Sequence, residues 1–127
     1  MKTASRARYL CSELVKVEWQ SQAGGFDAVA ILEEIWADGA CVQTLQPMQP
    51  GARVWIVARR ALFLGTLTEC RVLDDGYFSR VAFDSECRWS RRSYKPEHMI
   101  NTRTVLARWL KENLAGAEAP LVRTAGQ

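Results

Sequence analysis

The first half of the chain alternates between apolar and polar positions with a period of two. Val15, Val17 and Trp19 fall on one side of an extended segment, and Lys16 and Glu18 fall on the other. Successive side chains of a β-strand leave opposite faces, so this alternation is typical of a strand with one buried face. The pattern predicts a first strand that starts at about residue 10.

Five further strands are predicted in the segments FDAVAILEEIW, ACVQT, RVWIVARR, LFLGTLTECRVL and YFSRVAF. In the first of these, Val29, Ile31 and Ile35 are expected to share one face. Gly65 in the fifth strand predicts a bulge or a sharp bend. Turn signals separate the strands, at Gly24-Gly25, Asp38-Gly39, Pro50-Gly51 and Asp74-Asp75-Gly76. Short strands at this spacing favour an antiparallel barrel or sandwich.

The remainder of the chain has a different pattern. The polar and basic stretch DSECRWSRRSYKPEHMINTR is predicted to be mostly loop, and TRTVLARWLKENLAG is predicted to be a helix. Asn101 or Thr102 can cap its start, and Gly116 suits its end. The predicted division is a basic arm at 1–9, a barrel at 10–95, a connecting loop and helix at 96–116, and a tail at 117–127. The apolar stripe of the helix consists of Val105, Leu106, Trp109, Leu110 and Leu114.

Composition narrows the function classes. The 127 residues suit one domain, and a net charge of +3 argues against a dedicated nucleic-acid binder. The four cysteines have no metal-clip spacing and there is one histidine, so no metal site and no cofactor are predicted. No stretch has the length and apolarity of a signal peptide or a membrane span. These features predict a cytoplasmic protein with reduced thiols.

The candidate catalytic residues do not form a recognisable set. His98 lies in a polar loop, and neighbours on a strand such as Glu33 and Glu34 point to opposite faces. No glycine-rich phosphate loop is present. The sequence therefore predicts a protein that is not an enzyme.

Two basic clusters are candidate binding residues. The arm carries Lys2, Arg6 and Arg8. The second cluster interleaves arginines with aromatic residues, and it consists of Arg88, Trp89, Arg91, Arg92, Tyr94 and Lys95. Guanidinium groups match phosphate oxygens and guanine edges, and aromatic rings can stack on bases. The alternative for both clusters is a solvated basic surface.

The order of these features resembles the bacterial PilZ domain. An arginine-bearing arm leads into a strand, EEIWADGA ends in a glycine, and MQPGARVWIV places Pro-Gly before a strand. LGTLTECRVLDDGYFSRVAF then gives a long strand, a hairpin and a strand, and a helix closes the chain. The resemblance implies a six-stranded antiparallel barrel and a regulatory role. Many PilZ domains bind cyclic di-GMP, through Arg-x-x-x-Arg on the arm and Asp/Asn-x-Ser-x-x-Gly on the barrel.

Both binding motifs are altered in this sequence. Alignment on Gly39 places Glu34 at the Asp/Asn position and Trp36 at the serine position. Arg6 and Arg8 lie two residues apart rather than four. A bidentate arginine contact is worth about 1–3 kcal/mol. Loss of one such contact and of the hydroxyl weakens binding by roughly two to three orders of magnitude.

The resemblance therefore predicts a PilZ-like regulatory or interaction module that binds cyclic di-GMP weakly or not at all and acts on a protein partner. The alternative is a cyclic di-GMP receptor with a variant site formed by Arg6, Arg8, Glu34, Trp36 and Gly39. A third hypothesis, a nucleic-acid binder using RWSRRSYK, is the least favoured because the net charge is mild. Trp36 either packs against the arm or the helix, or is an exposed anchor for the partner.

Overall fold

The computed structural model describes residues 7–21 and 24–114. Within this region the fold is mainly β. The elements in chain order are β1 Tyr9–Ser21, β2 Gly24–Trp36, β3 Gly39–Thr44, β4 Arg53–Val57, β5 Leu62–Leu73, β6 Gly76–Phe83, β7 Ile100–Asn101 and α1 Thr102–Leu114. All six predicted strands are confirmed, and the short β7 is an addition.

The strands form a closed antiparallel barrel. The sheet order is β2-β3-β6-β5-β4-β1, and β1 also pairs with β2, which joins the two ends of the sheet. The predicted six-stranded antiparallel barrel with a C-terminal helix is therefore confirmed, and the sandwich alternative is wrong. Closure gives each of these six strands two neighbouring strands.

The alternation predicted for β1 is confirmed, because Val15, Val17 and Trp19 are buried. The shared face predicted for β2 is wrong. Val29 is 66% exposed, whereas Ile35 is fully buried. A register shift between Leu32 and Glu34 adds a residue to the strand. Such a bulge reverses which positions point inward, so the period of two does not hold across it.

Two glycine predictions have different outcomes. Gly51 has a φ of 93°, and the amide of Ala52 donates to the carbonyl of Gln49, so the turn predicted at Pro50-Gly51 is confirmed and is of type II. At Gly65 the strand pairing is regular, and the bulge of β5 lies between Leu67 and Glu69 instead. Gly65 is required for close approach, because a Cβ atom there would collide with the carbonyl oxygen of Ala82.

The segment between β6 and β7 is mostly loop, as predicted, but it is anchored to the barrel. Trp89 and Tyr94 are both buried in the core. Oε1 of Glu13, a residue that is only 4% exposed, accepts a hydrogen bond from the amide of Glu97 at 2.8 Å. This loop therefore forms part of the barrel's cover rather than a free connection.

The predicted helix is confirmed as α1. The amide of Thr104 donates to Oδ1 of Asn101 at 3.3 Å, which identifies Asn101 as the N-cap. The predicted stop at Gly116 and the tail lie outside the described residues. Leu106, Trp109 and Leu110 are 58%, 54% and 40% exposed, so these members of the apolar stripe are not covered by the barrel.

Candidate functional site

The β2–β3 hairpin has a tight turn whose backbone is hydrogen-bonded to β6 and to the loop that follows β6. Trp36 pairs with Gly39, so the turn lies at Ala37 and Asp38, one residue earlier than the Asp-Gly signal indicated. The carbonyl of Ala37 accepts from the amide of Trp89 at 2.8 Å, and that of Asp38 accepts from the amide of Phe83 at 2.9 Å. Backbone hydrogen bonds thus fix the position of the turn against the rest of the barrel.

Trp36 is packed at this turn and only 6% exposed. The guanidinium carbon of Arg8 lies 4.1 Å from the centroid of its indole, and that of Arg80 lies 5.4 Å away. Both distances are within the range of cation–π attraction. Trp36 therefore packs against the arm, as one reading of the sequence predicted, and the reading as an exposed anchor is wrong.

Arg8 is also held by a carboxylate. Its Nη1 atom donates to Oε2 of Glu34 at 3.5 Å, and the two side chains are 40% and 20% exposed. An ion pair this exposed contributes up to about 1 kcal/mol. Arg8 thus contacts Glu34 and Trp36 at the same time.

The strand register places a third strand beside this group. Glu34 pairs with Cys41, and Cys41 pairs with Arg80, so the three residues form a row across β2, β3 and β6. Burial raises the pKa of the Cys41 thiol, the charge of Glu34 adds to this, and Arg80 partly opposes it. We refer to Arg8, Glu34, Trp36, Gly39, Cys41 and Arg80 as the Trp36 cluster.

The structure brings together four of the five predicted ligand residues, namely Arg8, Glu34, Trp36 and Gly39. Arg6 lies outside the described residues. Arg80 was missed, although its place in YFSRVAF makes it an outward strand position. Only the pairing of β3 with β6 places Arg80 beside Trp36, and this pairing is not visible in a local pattern.

The second predicted patch is only partly a surface. Trp89 is 5% exposed, its Nε1 donates to the carbonyl of Tyr94 at 2.8 Å, and its ring meets Tyr9 edge-on at 5.5 Å. Trp89 and Tyr94 therefore cannot offer faces to bases, and the prediction of stacking aromatics is wrong. The physical reason is that this loop has no strand or helix of its own and is fixed by inserting aromatic rings into the core.

The arginines of that patch remain at the surface. Arg88, Arg91 and Arg92 are exposed, and Arg91 lies with its guanidinium carbon 5.6 Å from the ring centroid of Tyr9. Arg91 and Arg92 border a cleft that Arg59 and Arg60 also border. The latter pair was missed because the connection between β4 and β5 is far away in sequence.

The remaining chemistry-bearing residues do not assemble. Among residues 7–21 and 24–114, no group of three or more His, Cys, Asp or Glu side chains is arranged to hold a metal ion. His98 is exposed and has a φ of 56°. Cys11 and Cys41 are buried, and all four cysteines are free. Within the described part of the chain, no helix has the length and apolarity needed to cross a membrane.

The chain matches no family model, and no curated protein is significantly similar to it in sequence.

Proposed function

We propose that this chain is a PilZ-like regulatory or interaction module, without enzymatic activity, that binds cyclic di-GMP weakly or not at all. The closed six-stranded barrel and the motif order of the sequence support the family relationship. The observation that carries the proposal is the engagement of Arg8 with both Trp36 and Glu34.

This engagement opposes nucleotide binding in two ways. A guanine edge or a phosphate needs the fork of Arg8, so a ligand must first break contacts worth about 0.5–1 kcal/mol to Trp36 and up to about 1 kcal/mol to Glu34. In addition, the indole of Trp36 occupies the position where the resemblance places a small serine. Both effects lower affinity relative to a barrel that carries the intact motifs.

The proposed partner is a protein. Leu106, Trp109 and Leu110 present apolar side chains on α1 that the barrel leaves exposed, which is a common property of protein interaction surfaces. A role in protein binding also agrees with the contacts of Arg8, which is already bound to Trp36 and Glu34 within the chain.

The alternative, a receptor with a variant site, has one observation in its favour. Arg8 and Arg80 both face the same indole, and the side chain of Arg8 is 40% exposed. Two guanidinium groups beside one another offer the forked donors that a guanine edge requires.

Calorimetric titration with cyclic di-GMP separates the two functions. The wild-type chain is expected to give a flat titration. Trp36→Ser releases Arg8 from the indole, although not from Glu34, and supplies the hydroxyl of the motif, so it is expected to give a saturable titration. Trp55→Ser, which removes a 40% exposed tryptophan outside the Trp36 cluster, is the matched control and should stay flat.

Each contrary result has a definite meaning. Saturation of the wild-type chain at micromolar levels, lost in Arg8→Ala, establishes the variant receptor. A folded Trp36→Ser chain that still fails to bind shows that the indole of Trp36 is not what prevents nucleotide binding.

A further inference from the structure

A cleft of about 350 Å³ lies where the β4–β5 connection meets the loop after β6. We call it the basic cleft, and it is lined by Arg59, Arg60, Arg91, Arg92, Ser93, Tyr94 and Lys95. Two segments that are about thirty residues apart in sequence thus bring five cationic side chains to one concave surface.

The positive charge of the basic cleft is poorly balanced. Glu97 pairs with Arg59 at 3.3 Å, and both side chains are largely exposed. None of the other four cations forms an ion pair with a carboxylate of the described residues. On the six barrel strands, by contrast, three of the four basic side chains are paired, as Lys16–Glu18, Arg53–Asp84 and Arg71–Glu69. The carboxylates near the five cations are Glu97 and the buried Glu13, which lies beside Tyr94 beneath the cleft. Cations therefore outnumber carboxylates there by about three, an excess that an anion would stabilise.

The walls of the cleft are fixed by contacts beneath them. The amide of Ala58 donates to the carbonyl of Ala61 at 2.8 Å, which closes the connection that carries Arg59 and Arg60. On the other wall, Tyr94 is buried, and its carbonyl accepts from the indole of Trp89. Anchored backbone on both sides lowers the entropic cost of gathering the side chains around a ligand.

We propose that the basic cleft binds a small soluble ligand that carries a diphosphate group, in which two phosphates are joined directly, unlike the separate phosphodiesters of cyclic di-GMP. Four of the five cations are arginines, whose planar forks match phosphate oxygens with two hydrogen bonds each. The volume falls in the range of small-molecule sites. The charge is confined to one cleft in a chain of net charge +3, whereas a nucleic-acid surface needs a longer basic stripe.

This inference goes beyond the proposed function and fails independently of it. The basic cleft uses none of Arg8, Glu34 and Trp36. The loop at 89–95 runs from the β2–β3 turn, which the amide of Trp89 contacts, to the cleft wall at Tyr94. The two sites are therefore neighbours along one loop but have separate binding groups.

The test is calorimetric titration of the whole chain with inorganic pyrophosphate at low ionic strength. Three proteins are compared: the wild type, the variant Arg60→Gln/Arg92→Gln, and the control Arg88→Gln/Arg108→Gln. The control also removes two arginine charges, but from exposed positions outside the cleft. We expect one saturable site in the wild type, a loss of at least about tenfold in the cleft variant, and less than about threefold in the control.

Several results would overturn the proposal. They are a wild-type titration without saturation, an equal loss in both variants, and citrate binding as tightly as pyrophosphate, which would indicate charge alone. A single-stranded oligonucleotide is tested in the same way. If it bound the wild type more tightly than pyrophosphate and bound the cleft variant weakly, the ligand of the cleft would be nucleic acid instead of a small molecule. Both variants should unfold at the same temperature as the wild type, so that a difference in affinity reflects lost binding groups and not loss of folded protein.

Discussion

The indole of Trp36 lies over the backbone of Gly39, and a Cβ atom built at Gly39 would fall 2.6 Å from Cζ2 of the ring. Gly39 does not have a positive φ, so the backbone conformation does not demand glycine here. Glycine is required here for steric reasons, because the indole of Trp36 lies directly against Gly39 and leaves no room for a Cβ atom. The motif glycine that marked this turn in the sequence thus has a packing role in this chain.

Replacement of Gly39 by alanine is therefore expected to destabilise the barrel by about 1–3 kcal/mol, the usual cost of overpacking a tight contact. Urea unfolding measures the change. Gly25→Ala is the matched control, because the nearest atom to its new Cβ is the flexible end of Gln20 at 3.1 Å. We expect the control to change the free energy of unfolding by less than about 0.5 kcal/mol.

A double variant tests whether the contact with Trp36 is the cause of the cost of Gly39→Ala. When Trp36 is alanine, the space above Gly39 is empty, so Gly39→Ala should lose most of its cost, with a coupling energy of about 1 kcal/mol or more. Equal costs of Gly39→Ala with and without Trp36 would show that another contact requires the glycine.

A second prediction concerns the attraction between Arg8 and Trp36. A double-mutant cycle with Arg8→Ala and Trp36→Leu is expected to give a coupling energy of about 0.5–1 kcal/mol. Arg71 provides the control, since its guanidinium carbon lies 5.0 Å from the ring of Phe78 and not near Trp36. Coupling of Arg71→Ala to Trp36→Leu should be close to zero. A null value for Arg8 would mean that its position over the indole contributes nothing to stability.

The sequence was sufficient to predict the barrel where one local rule held along a whole strand. In β1 the alternation runs from Val15 to Trp19 without a break, so the buried face follows directly. In β2 the bulge at Leu32 and Glu34 depends on the partner strand, and the local pattern carries no trace of it. Periodicity therefore predicted that both strands exist. It predicted the buried face correctly for β1 but not for β2.

The candidate sites show the same division between local and distant information. Arg8, Glu34, Trp36 and Gly39 could be grouped because a motif orders them along the chain. Arg80 joins them through the pairing of β3 with β6, and Arg59 and Arg60 join the basic cleft through a meeting of two loops. Trp89 and Tyr94 looked like stacking surfaces because polar neighbours surround them in sequence. Their burial was not predictable without knowing what the loop covers.

A third prediction concerns the buried carboxylate of Glu13. Glu13→Ala removes the carboxylate that accepts from the Glu97 amide, and a hydrogen bond to a charged group is worth about 1.5–3 kcal/mol. Oε2 of Glu13 is buried without a hydrogen-bond partner among the described residues, so its removal offsets part of that cost. The effect should be local as well as global, so hydrogen exchange at the Glu97 amide should accelerate more than exchange within β3. Glu18→Ala is the control, because Glu18 forms only an exposed pair with Lys16, worth at most about 1 kcal/mol. Unchanged exchange at Glu97 would contradict the anchoring role.

The last prediction concerns stability at alkaline pH. Burial, with added repulsion from Glu13, Glu34 and Glu33, raises the pKa of the Cys11 thiol from 9.0 to about 12. The folded chain thus keeps this proton at a pH where the unfolded chain has lost it. Stability from Cys11 is complete below about pH 9 and falls as the pH rises toward 12, by at most about 1.4 kcal/mol per pH unit.

Urea unfolding at a series of pH values from 8 upward tests this sign. Cys11→Ala removes the titrating group, so its free energy of unfolding should fall less steeply with pH than that of the wild type. Some decline should remain, because burial and the neighbouring Glu13 also raise the pKa of Tyr94. Parallel curves for the wild type and Cys11→Ala would show that the thiol does not contribute to the alkaline decline. A steeper curve for the variant would reverse the sign of the argument.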